Sequence, residues 1–482
     1  MKFSELFAGV EILETNAPRN MELAEVRYVS GEVQHGDAFI AVPGFVTDGH
    51  QYIESAIAAG AALIICEHSM PKNTPWVRVG STRETLAKLG ANRFGHPARA
   101  MQVIGVTGTN GKTSVTYLLK TLLERVLGAR VGLIGTICNL IGDVKLATER
   151  TTPESYELQR ILAQMRDAGC THVVMEVSSH ALFLHRVDEI PFCVGAFTNL
   201  SQDHLDFHKT MQAYCEAKAR LFRRCKHGVF NLDDAAAQDM MANATCDCLS
   251  VGTAATATLR AERISYAPDA VQMNICRGEQ RLPLHLGIPG HFTVSNALIT
   301  LGVAVQLGIP LTDAVAGLSA AKGVKGRVEV VPTPGCGFTV LIDYAHTPDG
   351  LENVLRSVRE FCRGRLIVVF GCGGDRDKTK RPIMGEIALK YADYAFITSD
   401  NPRTEDPNAI IEDILQGVPD TGKHYTVVVQ RREAIRKALR FAAKNDMIVL
   451  AGKGHETYQI LATGKIHFDE REEVASALCE RN

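Results

Sequence analysis

The chain has 482 residues, enough for three domains at about 150 residues each. Hydrophobic residues make up 46% and charged residues 22%, a balance that supports a sizeable buried core. A formal charge of −2 excludes general attraction to nucleic acid or anionic membrane, and no run is long and apolar enough to insert in a bilayer.

The opening Met-Lys-Phe-Ser-Glu-Leu-Phe meets Glu11 and Glu14 before any extended apolar stretch, unlike a signal peptide. The 13 cysteines are scattered and odd in number, so they read as reduced thiols of a cytoplasmic protein. Cys246 and Cys248 lie too close together for half a zinc site, and no second pair matches them.

Residues 1–99 form a first unit. Strands are predicted at Ala38–Val42 and Ala61–Cys66, with a helix from Tyr52 to Ala59 between them, and Gly95-His96-Pro97 marks a boundary. A second unit spans 100–330. Its short apolar runs at Val103–Thr107, Thr171–Val177 and Val194–Thr198 read as buried parallel strands, with helical patterns between most of them. That alternation predicts a doubly wound α/β sheet, and residues 258–290 read as a small antiparallel annex. The third unit, 331–482, reads as a Rossmann-like sheet with strands at Thr339–Ile342, Leu366–Phe370, Tyr394–Thr398 and Met447–Leu450. Each ends in a polar loop, and loops at the carboxyl edge of such a sheet make a ligand site.

The densest chemistry lies in Val103-Ile-Gly-Val-Thr-Gly-Thr-Asn-Gly-Lys-Thr113. A strand stops at a Gly-rich turn, and a helix follows with Tyr117, Leu118, Leu122 and Leu123 on one face. Backbone amides at a helix N-terminus hold phosphate. Lys112 can reach the outer phosphates of a nucleoside triphosphate, and the Thr113 hydroxyl can ligate Mg²⁺. The spacing departs from the generic loop, which has four residues between its glycines. Here five separate Gly105 from Gly111, and Gly108, Thr109, Asn110 and Gly111 make the turn.

Glu176 ends the strand 171–177 and reads either as a second anchor for Mg²⁺ or as a salt-bridged surface acid. Thr198-Asn-Leu-Ser-Gln-Asp-His-Leu-Asp-Phe-His208 crowds polar groups into one loop, read as a second metal site with His204 as ligand or as a solvated loop with a capping Asp. Taken alone, Lys218 is an ordinary helix lysine.

Together, the Gly-Thr-Asn-Gly-Lys-Thr loop, Glu176-Val-Ser-Ser-His, Asn199-Leu-Ser-Gln-Asp-His-Leu-Asp-Phe-His and Asp343-Tyr-Ala-His-Thr-Pro-Asp resemble the Mur ligase family, which adds amino acids to the cell-wall precursor. Asp400-Asn-Pro-Arg and Gly452-Lys-Gly-His-Glu resemble the members that add the third residue, meso-diaminopimelate. The resemblance implies a UDP-sugar domain over 1–99, an ATP domain over 100–330 and an amino-acid domain over 331–482, in a monomeric ligase. It further implies that ATP phosphorylates the D-Glu γ-carboxylate of UDP-MurNAc-L-Ala-D-Glu and that the diaminopimelate amine displaces the phosphate.

By the same resemblance, Thr113 and Glu176 hold the first Mg²⁺, while His204 and a carbamylated Lys218 serve a second. Asn296, Arg327, Asp343 and His346 surround the nucleotide. Ser30, Thr151, Thr152, Ser178 and Arg186 contact the UDP-peptide substrate. Arg403 grips the distal carboxylate of diaminopimelate, with Arg376, Asp400, Asn401, Pro402, Gly452 and Glu456 completing the pocket. Val29-Ser30-Gly31 stands where many members read Asp-Ser-Arg, Leu184 stands where some place glutamine, and Thr293 replaces an asparagine.

The Asp-Asn-Pro-Arg loop argues against a lysine-adding or folylpolyglutamate-synthase-like enzyme. The absence of a basic, aromatic-interleaved patch argues against a nucleic-acid ATPase. The extra polar loops of residues 331–482 argue against a nucleotide switch without catalysis.

Overall fold

Apolar residues in the central strands run without alternation: Phe192–Phe197 and Leu366–Phe370 are buried at every position. Such strands belong inside sheets covered on both faces, the arrangement of parallel sheets crossed by helices. The computed structural model has that architecture. It describes all residues except 45–46, 70–73, 147, 149, 419–423 and 481–482. The chain divides into two compact units, residues 1–257 with 302–311, and residues 258–301 with 312–482. Among the described residues, no helix is long and apolar enough to cross a membrane.

The first unit holds two sheets. The smaller has the order Glu14–Thr15, Trp76–Arg78, Leu63–Cys66, Ala38–Ile40, Val26–Arg27, and only its first pair is antiparallel. Both strands expected here are present, slightly shortened. The expected helix begins only at Ile53, because Gly49–Tyr52 winds as a tighter turn after Asp48 accepts a hydrogen bond from His50 N.

The larger sheet runs Asp247–Gly252, Cys225–Asn231, Phe192–Phe197, Gln102–Thr107, His172–Glu176, Val131–Ile134, and these six are parallel. Asn139–Ile141 and Val144–Leu146 extend it antiparallel. The chain builds one side of Gln102–Thr107 and then crosses to the other with Phe192–Phe197. Strand order therefore reverses at Gln102–Thr107, where ligands bind in open α/β sheets. The helix Lys112–Leu127 buries Val115, Leu118, Leu119, Leu122 and Leu123, while Tyr117 lies at the edge of that stripe.

The second unit contains the antiparallel strands Leu259–Tyr266, Val271–Arg277 and Gln280–Leu286, the annex expected from sequence. Its main sheet has the order Glu329–Val331, Thr339–Asp343, Met447–Ala451, Leu366–Phe370, Tyr394–Ile397, Tyr425–Val427, parallel except for the first pair. Alternate residues serve opposite faces. Leu341, Val368 and Val449 pack with Leu351, Leu355 and Ile387, whereas Val340, Ile367, Val369 and Ile448 pack with Ile435, Leu439 and Val474. Burying each such side chain contributes about 1.5–3 kcal/mol. Because the four central strands are parallel, the loops after 343, 370, 397 and 451 share one edge.

Candidate active site

Three strand ends build the site of the first unit. Gln102–Thr107 passes into the turn 108–111 and then into the helix Lys112–Leu127. Glycine is required at 108: its φ is +147°, and a Cβ there would lie 1.9 Å from Thr198 Oγ1. The neighbouring strand end fixes the turn. Thr109 N donates to Asn199 O at 2.9 Å, Asn110 N to Asn199 Oδ1 at 2.9 Å, and Thr198 Oγ1 to Asn110 O at 2.6 Å. The helix begins at Gly111 without a side-chain cap, so its first-turn amides are the donors presented to an anion. Lys112 curls back over the turn, its Nζ donating to Gly108 O at 2.9 Å and Thr109 O at 2.7 Å.

Glu176 is buried, which sets aside the surface-acid reading. Its Oε1 accepts from Thr113 Oγ1 at 3.0 Å and Thr136 N at 2.9 Å, and its Oε2 from Thr136 Oγ1 at 3.1 Å. Thr113 and Glu176 are thus paired hard-oxygen donors beside the phosphate turn, a donor set that fits Mg²⁺.

Lys218, on the helix Met211–Ala219, is also buried and donates to Gly108 O at 3.0 Å, the same carbonyl that Lys112 uses. Its Nζ lies 4.3 Å from the centre of the Tyr214 ring. Burial, and then the charge of Lys112, drive the Lys218 ammonium well below its ordinary pKa. Burial thus favours the uncharged amine over the ammonium. His204 also faces the Tyr214 ring, with centroids 6.0 Å apart, but is itself exposed on a left-handed backbone position, φ +52°. Burial pushes the nearby His180 and His208 down to about 4, so both are neutral near pH 7.

Thr151, Thr152, Ser178 and Arg186 are joined to this group. Thr136 Oγ1 lies 3.0 Å from Thr151 Oγ1. Thr152 Oγ1 donates to Glu176 O at 2.8 Å and accepts from Ser178 N at 3.2 Å. Arg186 Nη1 donates to Thr152 O at 3.2 Å, and its guanidinium pairs with Glu154. Ser30 opens the turn Ser30–Glu32, half-buried beside the smaller sheet, and shares no hydrogen bond with that group among the described residues.

The second unit gathers the loops at its sheet edge. Asp343 is buried and accepts from Val328 N and Ala345 N, both at 2.9 Å. Burial raises its pKa despite the nearby Arg327. Arg327 lies 5.2 Å from the centre of the Tyr344 ring, its Nε buried without a hydrogen-bond partner among the described residues. His346 Nδ1 contacts Tyr344 O at 2.8 Å. Asn296 is buried on the helix Phe292–Gln306, and its side chain shares no hydrogen bond with Arg327, Asp343 or His346 among the described residues. Asn296, Arg327, Asp343 and His346 all lie in the second unit, whereas the turn Gly108–Thr113 belongs to the first.

In the loop 399–403, Asp400, Asn401 and Pro402 are buried. Arg403 has φ +54°, a costly conformation for a side-chain-bearing residue. Two bonds hold it there: Arg403 N donates to Ile460 O at 3.1 Å, and Nη1 to Gly374 O at 2.6 Å. Gly452 has φ +118°, and a Cβ there would lie 2.4 Å from Asp400 Oδ2. Asn401 Nδ2 donates to Glu456 Oε2 at 2.9 Å. Arg376 is exposed, donating to Asp375 O at 3.1 Å.

Sequence reasoning passed over three buried cations here. Lys453 donates to Asn401, Asp400 and Glu456. Arg381 bonds Glu405 and Asp413. Arg431 donates through Nε to Glu470 Oε1 at 2.8 Å and through Nη2 to Ala451 O at 2.8 Å, with both members of the pair fully buried. Burial opposes the charge on Asp400, but Lys453 and Arg431 hold its carboxyl below the usual carboxylate range. Breaking the Arg431–Glu470 pair leaves an unmatched charge in the core. Glu470→Gln is expected to lower stability by about 3–5 kcal/mol in urea unfolding, and a loss under about 1 kcal/mol contradicts this account of the pair.

The sequence matches the Mur ligase family, catalytic domain, over residues 22–94, the Mur ligase middle domain over 106–304 and the Mur ligase, glutamate ligase domain over 326–454. It is 46% identical to the UDP-N-acetylmuramoyl-L-alanyl-D-glutamate–2,6-diaminopimelate ligase of Caldanaerobacter subterraneus, covering 100% of this chain and 99% of that protein. Its identity to the ligase of the same name from Clostridium botulinum is 44%, over 95% of this chain and 96% of that one. A solved structure bearing the same name superimposes with a TM-score of 0.73 at 32% identity, covering 100% of this chain and 99% of the other. The Thermotoga maritima MurF ligase, solved with ADP, shares the fold at 21% identity, with a TM-score of 0.62 and coverage of 96% and 100%. A phosphate turn backed by Thr113 and Glu176, a polar pocket at a second sheet edge and matches along nearly the whole length lead to one assignment: the chain belongs to the Mur ligase family.

Proposed function

We propose that this ligase uses ATP to join meso-2,6-diaminopimelate to the D-Glu γ-carboxylate of UDP-MurNAc-L-Ala-D-Glu. The observation that carries the reading is the Asp400–Asn401–Glu456 group, buried at Asp400 and Asn401, with Arg403 locked beside it, in a chain that also holds the Gly108–Thr113 phosphate turn. Carboxylate and amine groups in one pocket suit the zwitterionic end of diaminopimelate: Arg403 takes its distal carboxylate and Glu456 its ammonium. Arg376, Asp400, Asn401, Pro402 and Gly452 complete that pocket.

A carboxylate is a poor acylating agent, and phosphorylation gives it a leaving group. Its oxygen attacks the γ-phosphorus as ADP departs. The amine of diaminopimelate then attacks the acyl carbon, inorganic phosphate leaves, and the ammonium formed loses a proton to give the amide. Gly108, Thr109, Asn110 and Gly111 shape the phosphate seat, and Lys112 neutralises charge as the γ-phosphoryl group transfers. Thr113 and Glu176 would hold Mg²⁺, which supplies charge neutralisation between the two reacting anions.

The Lys218 amine, whose uncharged form burial favours, adds CO₂ to give a carbamate and a proton, and with His204 it would offer ligands to a second Mg²⁺. Activity is expected to fall several-fold in CO₂-free buffer and to return with bicarbonate; indifference to bicarbonate, with intact lysine by mass, counts against this role. Asn296, Arg327, Asp343 and His346 contact the nucleotide. Ser30, Thr151, Thr152, Ser178 and Arg186 contact the UDP-peptide. In this reading residues 1–99 bind the UDP-sugar, 100–330 ATP and 331–482 the amino acid, in a monomer of the cytoplasm.

The test is direct. Purified protein is given ATP, Mg²⁺ and UDP-MurNAc-L-Ala-D-Glu with diaminopimelate or lysine in parallel, and products are weighed. Only the diaminopimelate adduct is expected to accumulate; equal rates with lysine overturn the amino-acid assignment.

A further inference from the structure

Lys453 is fully enclosed at the sheet-edge pocket, with no solvent exposure of its side chain. It follows the strand Met447–Ala451, in a loop whose neighbours Gly452 and Gly454 both have positive φ. That backbone turns the lysine inward. Its three ammonium hydrogens match three acceptors: Asn401 Oδ1 at 2.9 Å, Glu456 Oε2 at 3.1 Å and Asp400 Oδ1 at 3.3 Å. Asn401 is in turn fixed from both ends, accepting from Ile460 N at 2.9 Å and donating to Glu456 Oε2. Gln459 Nε2 closes the group by donating to Asp400 O at 2.6 Å. All three Lys453 bonds end on side chains of the pocket, so its donors are taken up by protein acceptors.

Charge gives the second argument. Apart from the exposed, solvent-screened Arg376, the pocket's charges are two anions, Asp400 and Glu456, and two cations, Lys453 and Arg403. Arg431 and Glu470 behind them cancel. A neutral pocket accepts a net-neutral group, such as a carbon bearing both an ammonium and a carboxylate. Without Lys453 the same pocket carries an excess negative charge, which suits a bare ammonium instead.

We propose that Lys453 is a positioning residue that ties Asn401, Asp400 and Glu456 into one geometry and sets the charge balance by which the pocket prefers a zwitterionic side-chain end over a cationic one. This rests on the diaminopimelate reading above.

The test compares wild type, Lys453→Met and Lys453→Arg. In Lys453→Met the KM for diaminopimelate is expected to rise about 10- to 100-fold, while the KM values for ATP and UDP-MurNAc-L-Ala-D-Glu stay within about 2-fold. The ratio of kcat/KM for diaminopimelate over lysine is expected to fall by about 10-fold or more, a change that general loosening of the fold does not produce. An unchanged KM for diaminopimelate, or an unchanged ratio, overturns the proposal. If Lys453→Met does not fold, Lys453→Arg decides: it keeps the charge but changes the donor geometry, so the KM is expected to rise with the ratio largely kept. A normal KM in Lys453→Arg overturns the positioning role. Wild-type protein that fails to ligate diaminopimelate refutes the function reading itself, a separate outcome from normal wild type with an indifferent Lys453→Met.

Discussion

Lys112→Ala is expected to cut ligation by about 10³-fold or more while leaving the protein folded. The side chain caps the phosphate turn through Gly108 O and Thr109 O, bonds that cost little stability when lost, since the turn is held separately by Thr198 and Asn199. In the proposed mechanism, what disappears is the cation that neutralises the γ-phosphoryl group as two anions are brought together. The effect belongs in kcat more than in the KM for diaminopimelate, because the amino acid enters after the phosphoryl transfer. Steady-state kinetics with a thermal melt checks both parts. Turnover within about 10-fold of wild type would remove Lys112 from the chemistry.

Arg403→Ala is expected to raise the KM for diaminopimelate by about 10²–10³-fold, the equivalent of about 3–4 kcal/mol for a ligand carboxylate left without its partner. The guanidinium is oriented by Gly374 O, and the loop accepts an unfavourable φ to present it. Arg403→Lys restores the charge without the planar fork and is expected to recover only part of the loss. The KM for ATP should not move. A KM for diaminopimelate equal to wild type in Arg403→Ala removes the basis for the substrate assignment.

The parallel core was legible because its strands are unbroken apolar runs: Val103–Thr107 and Leu366–Phe370 were located to within a residue. Val131–Ile134 was missed because Gly132 interrupts a four-residue run, and Cys225–Asn231 because it begins with three partly exposed residues that break the apolar pattern. The phosphate turn was legible because its chemistry is local: glycines, lysine and threonine follow one another. Lys453 was not, although it stands inside a loop already singled out. A lysine between two glycines reads as solvated, and its burial depends on Asp400 and Asn401, which lie 53 and 52 residues away. Arg431 and Glu470, 39 residues apart, were hidden for the same reason. Lys218 gave no local signal either. Its burial and its contact with Gly108 O, 110 residues distant, separate it from an ordinary helix lysine.

The central claim is that this chain activates a carboxylate by moving phosphate onto it. UDP-MurNAc-L-Ala-D-Glu labelled with ¹⁸O in the γ-carboxylate, incubated with ATP and diaminopimelate, tests that most directly. The account predicts one ¹⁸O atom in the inorganic phosphate for each amide formed. Phosphate released without label, alongside normal amide formation, would contradict it.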